Sequence, residues 1–130
     1  MSERVKEHTF RRYDGELSNL HVMVSDMGVV VVDQLASALD AFSRQDVNVA
    51  RKVMDNDILV DRMEVAGDAE IIHVISRNCP LASDLRVVIT VSKSISDLEK
   101  IGDEAVRIAA ILLEIDSAGQ GSMNRELAQE

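Results

Sequence analysis

Three apolar stripes, stepping mostly by three and four residues for about thirty positions each, constrain this chain more than any other feature. The first runs Phe10, Tyr13, Leu17, Leu20, Val24, Met27, Val31, Leu35, Ala38, Phe42. That spacing keeps side chains on one face of an α-helix. The run Val29–Val32 has strand propensity, but it stays in phase with the stripe and the longer pattern wins. Ser43-Arg44-Gln45-Asp46 breaks the stripe, and Asp46 suits the N-cap of a second helix. The second stripe is read as Ala50, Met54, Ile58, Val65, Ala69, Ile72 and Ile75, ended by Asn78-Cys79-Pro80. Pro80 is expected in the first turn of the third helix. The third stripe is Leu81, Leu85, Val88, Val91, Ile95, Leu98, Gly102, Ala105, Ala109 and Leu112, fading around Asp116.

Helices are therefore expected at about 8–43, 46–77 and 80–116, forming one unit over 1–116. Ser117–Ser122 reads as a linker, and the rest of 117–130 as the start of a further helix. Each long helix spans roughly 50 Å at 1.5 Å rise per residue. Connections of a few residues force antiparallel neighbours, so the expected fold is an all-α, long antiparallel three-helix bundle. Gly15, Gly28, Gly67 and Gly102 fall inside these helices, each costing about 1 kcal/mol relative to Ala. Gly102 lies on the apolar stripe and would permit close helix approach; the other three read as tolerated residues.

Composition removes several functions. With 14 Lys+Arg against 23 Asp+Glu, the net charge of -9 disfavours binding to a phosphate backbone. Aromatics are 2% of residues, too few for a base-stacking platform. Cys79 is alone, which excludes an internal disulfide and a cysteine zinc site, and it reads as a small structural residue. The N-terminal residues are charged and lack the apolar core of a signal peptide. The longest apolar stretch, Met27–Val32, falls far short of the roughly 20 residues a membrane span needs. A soluble, cytoplasmic protein is expected.

Chemistry is sparse. No Ser/His/Asp or Cys/His arrangement and no glycine-rich phosphate loop is legible, so no catalytic residue and no enzyme activity is expected. Glu70-Ile71-Ile72-His73 has the Glu-x-x-His spacing of di-iron bundles, but those need two such motifs, and His73 reads as an ordinary helix residue. Carboxylate pairs remain. Asp57/Asp61 on the second helix and Glu99/Asp103 on the third are four apart, which puts each pair on one helix face. On neighbouring helices they could surround a hard or borderline cation, which would offset their repulsion. Spacing alone does not settle this. Five acidic i,i+4 pairs occur (Glu3/Glu7, Asp57/Asp61, Glu64/Asp68, Glu99/Asp103, Glu126/Glu130). Chance gives about four, so a solvated acidic face explains them equally well.

The third helix carries a more specific signal. Ser96-Asp97-Leu98-Glu99-Lys100-Ile101-Gly102-Asp103-Glu104-Ala105, followed by Val106-Arg107-Ile108-Ala109, resembles the signature of the PhoU family of phosphate-uptake regulators. Cys79-Pro80-Leu81-Ala82-Ser83-Asp84-Leu85-Arg86 is similar to that family's Pro-x-x-x-Asp-Leu-Arg helix start. Asp55–Asp61, Tyr13–Leu17 and Met27-Gly28 match its second and first helices. The resemblance runs from about His8 to Ile115, one repeat of a family usually built from two, and best fits the N-terminal one.

It implies a cytoplasmic, non-enzymatic, negative regulator linking the phosphate ABC transporter, through its ATPase subunit, to a sensor histidine kinase. It further implies a multinuclear metal cluster, iron or zinc, on Asp57, Asp61, Glu99 and Asp103. Lys100 stands where the family pattern has Arg, keeping the charge but not the bidentate fork, and Glu104 replaces a frequent His. A lone repeat leaves an apolar seam to cover, so a homodimer is expected. The competing readings are a metal-free structural or oligomerisation module and a metal-dependent enzyme on a carboxylate-lined bundle.

Overall fold

The computed structural model describes residues 3–129, and the chain folds as three helices: α1 (Glu3–Arg44), α2 (Val47–Asn78) and α3 (Ala82–Gln129). Each packs on the other two, giving the expected all-α three-helix bundle. The side chain of Phe10 lies outside the described residues.

Local chemistry sets both junctions. Gln45 ends α1 in the left-handed region (φ 57°), and the Asp46 N–H donates to the Ala41 carbonyl at 2.9 Å. Asp46 then caps α2 as expected, its carboxylate accepting from the Val49 N–H at 3.2 Å. At the far end Cys79 adopts φ 44°, and its N–H donates to the Ile75 carbonyl. This thiol is exposed, so Cys79 acts as a cap through its backbone and not as packing. Pro80 lies in the connection, two residues before α3, not within its first turn. Beside this turn Glu16 of α1 accepts from Asn78 (2.6 Å) and pairs with Arg77 (3.5 Å), tying α1 to the end of α2.

The stripes of α1 and α3 fill the core as expected, apart from Phe42 and Leu81, which are exposed. The core has two apolar clusters. One holds Leu20, Met27, Val31, Val60, Val74, Val88 and Ile95. The other is alanine-rich: Ala38, Ala41, Ala50, Val53, Ala105, Ala109 and Leu112.

On α2 the expected face is wrong. Of the stripe assigned to it only Ala50 is buried; Met54, Ile58, Val65, Ala69, Ile72 and Ile75 are exposed. The inward register is Ala50, Val53, Asp57, Val60, Glu64, Gly67, Ile71 and Val74, again in steps of three and four. Counting apolar residues misses it because two acids and a glycine occupy inward positions. A Cβ at Gly67 would stand 2.7 Å from Ile95 Cδ1, so the tip of Ile95 would have to shift to admit one.

The linker expected at 117–122 is also absent, because α3 continues through it to Gln129. Glycine lowers helix propensity but, unlike proline, removes no hydrogen bond from the ladder. The described side chains beyond Asp116 are exposed. α1 is more apolar than its core role requires. Between Arg11 and Arg44 it is long and apolar enough, by length and composition alone, to cross a bilayer, although only part of it is buried.

Adjacent isoleucines test the corrected face of α2. Ile71 is buried and Ile72 is 65% exposed. Urea unfolding should show Ile71→Ala losing about 2–5 kcal/mol and Ile72→Ala changing by about 0.5 kcal/mol or less.

Candidate metal centre

The corrected register of α2 brings carboxylates to the α2–α3 groove. Asp57 and Glu64 occupy inward positions one heptad apart and are half-buried; Asp61, between them, is exposed at the rim. From α3, Glu99 is half-buried and Asp103 exposed. Oxygens of Asp61, Glu64 and Glu99 all lie within 4.8 Å of one another. Asp57 and Asp103 are close enough to repel this group. Of the four residues singled out in the sequence, Asp61 and Glu99 belong to this group, and Asp57 and Asp103 lie close enough to feel its charge.

Glu64 was missed because its i,i+4 pairing with Asp68 looked like surface charge. Its signal was the seven-residue repeat from Asp57, which keeps both on one face.

The electrostatics of the groove are unbalanced. Burial pushes the Asp57 carboxyl above its ordinary range, and Asp61 and Asp103 push it further. Burial raises Glu64 as well, reinforced by Asp68, Asp61 and Asp103. Glu99 is raised by burial, by Asp103 and Glu64, and by a hydrogen bond with Asp103. Among the described residues no basic side chain answers these charges; Lys100 reaches Asp97 and Arg107 reaches Glu104 instead.

The floor of the groove is polar too. Asp57 Oδ1 is buried without a hydrogen-bond partner. Gly102 leaves a gap beside it: a Cβ there would stand 3.3 Å from Val60 Cγ1 and 3.9 Å from both Asp57 Oδ1 and Gln34 Oε1. Gly102 therefore does permit close helix approach, as its place on the stripe indicated. An unpaired buried carboxylate oxygen beside four more carboxylates is a donor set of the kind hard cations take. The set contains neither nitrogen nor sulfur, which suits iron or manganese better than zinc. Glu70 is half-buried on another part of α2, and His73 and Cys79 are exposed.

Comparison with known proteins agrees with the motif reading. Residues 24–112 match the family model described as the PhoU domain. This chain belongs to the PhoU family. It is 39% identical over 110 residues to the phosphate-specific transport system accessory protein PhoU of Edwardsiella tarda, covering 85% of this chain and 45% of that protein. Against the protein of the same name from Escherichia coli (strain K12) it is 38% identical over 113 residues, 87% of this chain and 47% of the relative. A Burkholderia sp PhoU homolog is 34% identical over 115 residues, 88% of this chain and 49% of the relative. The chain spans about half the length of these curated PhoU relatives. No solved structure matches it.

The raised carboxyls have a consequence for stability. Their folded-state affinity for protons exceeds the unfolded one, so stability falls as pH rises from the ordinary carboxylate range through the raised values. The penalty is absent below that range and complete above the raised values. In cation-free buffer Asp57→Asn should therefore be more stable than the parent at pH 7. Thermal melts of the two should converge as pH falls below about 4.

Proposed function

We propose that this PhoU chain is a helical adaptor in the control of phosphate uptake, and that its carboxylate groove holds a multinuclear metal cluster. The observation that carries the metal reading is the meeting of Asp61, Glu64 and Glu99 oxygens from two helices, with no basic side chain among the described residues to neutralise them. Asp57 and Asp103 would complete the donor set. A cation there supplies positive charge that clamps α2 to α3, and the protein's part is to hold the oxygens at fixed spacing. The regulatory reading rests on the relatives, which are named accessory proteins of the phosphate-specific transport system. The partners on this reading are the transporter's ATPase subunit and a sensor histidine kinase, met from the cytoplasm, with the adaptor acting as a negative regulator and not as an enzyme.

The outer face of α1 supports a homodimer. Val22, Ser25, Val29, Val32, Ala36 and Leu39 are all exposed, uncharged and spaced by three and four. Their sizes run large, small, large, large, small, large, the same in both directions. An antiparallel second copy would set Val29 against Val32, Ser25 against Ala36 and Val22 against Leu39, with His21 facing Asp40. Gly28 flanks this stripe, and nothing in its own bundle lies near enough to require a glycine. Asp33 lies beside the α1 stripe, whereas the outward stripe of α2 carries Asp61 and Asp68 among its apolar residues.

Three measurements test these readings. Elemental analysis of protein purified without chelator should find metal in the parent and lose it in Asp61→Ala/Asp103→Ala; no metal in either would remove the cluster from the proposal. Pull-downs with the ATPase subunit and the kinase should each capture the parent, and two negatives would sink the adaptor role. Sedimentation should show a dimer that Val29→Lys converts to monomer, whereas a monomeric parent at high concentration would overturn the α1 contact.

A further inference from the structure

Among the described residues Gln34 is the buried polar side chain of the core, 4% exposed, and neither its Oε1 nor its Nε2 has a hydrogen-bond partner. Burial in that state is costly, and native cores rarely tolerate it without a reason. The place of Gln34 supplies one. Its Oε1 and the orphaned Asp57 Oδ1 each lie 3.9 Å from the point where a Cβ on Gly102 would stand. Two oxygens from different helices thus line one gap. Two acceptors facing a common space repel unless a cation or a hydrogen-bond donor sits between them.

We propose that the Gln34 side-chain carbonyl is the α1 oxygen of the cation site, so that all three helices build it and a neutral ligand closes its buried side. This rests on the metal reading above and adds a residue to it. Amide carbonyls of Asn and Gln are ordinary ligands of hard cations, and a neutral one adds an oxygen without further negative charge. The position also explains why a polar residue persists where α1 is otherwise apolar, since Val31 and Ala38 flank it on the same face. Gly102 belongs to the same arrangement, because a methyl group there would occupy the gap both oxygens face.

The rival account is internal. If the amide turned over, Nε2 would face Asp57 and the pair would satisfy one another with no cation. The two accounts predict different results. Mn2+ binding to the full chain can be followed by the loss of the free-ion electron paramagnetic resonance signal, and stability by urea unfolding in cation-free buffer. Gln34→Leu should weaken Mn2+ binding by about tenfold or more while leaving cation-free stability equal to or above the parent. Gln34→Glu, which keeps an oxygen, should bind at least as tightly as the parent, and Gly102→Ala should bind more weakly. Unchanged Mn2+ affinity in Gln34→Leu, with lower cation-free stability, would overturn the proposal in favour of the internal pair. Should Gln34→Leu fail to fold, weakened binding by Gln34→Glu or parent-like binding by Gly102→Ala would overturn it. A parent that binds no Mn2+, with or without these changes, would instead overturn the metal reading itself.

Discussion

A single polar layer divides this bundle, and its presence accounts for much of the rest. Gln34 on α1, Asp57 on α2 and Gly102 on α3 meet at one level. On all three helices that level is where the bulky apolar cluster gives way to the alanine-rich one. Apolar burial on either side holds the helices together. The layer itself works against stability, with an unpaired amide, an unpaired carboxylate oxygen and a repelling set of acids beside them. The proposed cation site would account for a fold that keeps such a local cost.

The sequence made the bundle legible wherever apolar side chains alone mark the inner face. On α1 and α3 the stripe and the core nearly coincide, and Asp46 announced the second helix by its capping chemistry. It failed on α2 for one reason. That helix is apolar on two faces, and the inner one is diluted by Asp57, Glu64 and Gly67. Any rule that equates apolar with inward then picks the outer face. The same dilution hid part of the site. Asp57, Asp61, Glu99 and Asp103 stood out as pairs, yet Glu64 is one of the three acids whose oxygens lie within 4.8 Å of one another. Gln34 gave no signal by charge or motif; it shows only once the packing reveals that its position is internal. The break read at Ser117–Ser122 was the opposite error, in which two glycines without a proline were given too much weight.

Family membership and physical reading support each other at different scales. The relatives are named for phosphate-specific transport, and the groove says what this repeat offers chemically. Neither alone would reach the combination. A carboxylate cluster on a helical scaffold suits many roles, and a relative's name says nothing about which side chains face inward here. The outer stripe of α1 adds a third scale, since a helix with apolar residues on both faces can serve a core and a contact between subunits at once.

The polar layer also determines how the helices slide. A heptad repeat by itself tolerates a shift of seven residues, because each apolar position finds another apolar position. Here the shift fails. Moving α3 by seven would bring Ile95 or Ala109 to the level of Gln34 in place of Gly102, closing the gap its amide faces. Moving α2 by seven would offer Ala50 or Glu64 in place of Asp57. Each misalignment strands the buried amide against a methyl group or crowds a different acid into the floor. The layer therefore acts as a detent: it weakens the bundle, but leaves one axial alignment of three long, otherwise repetitive helices preferred over its neighbours.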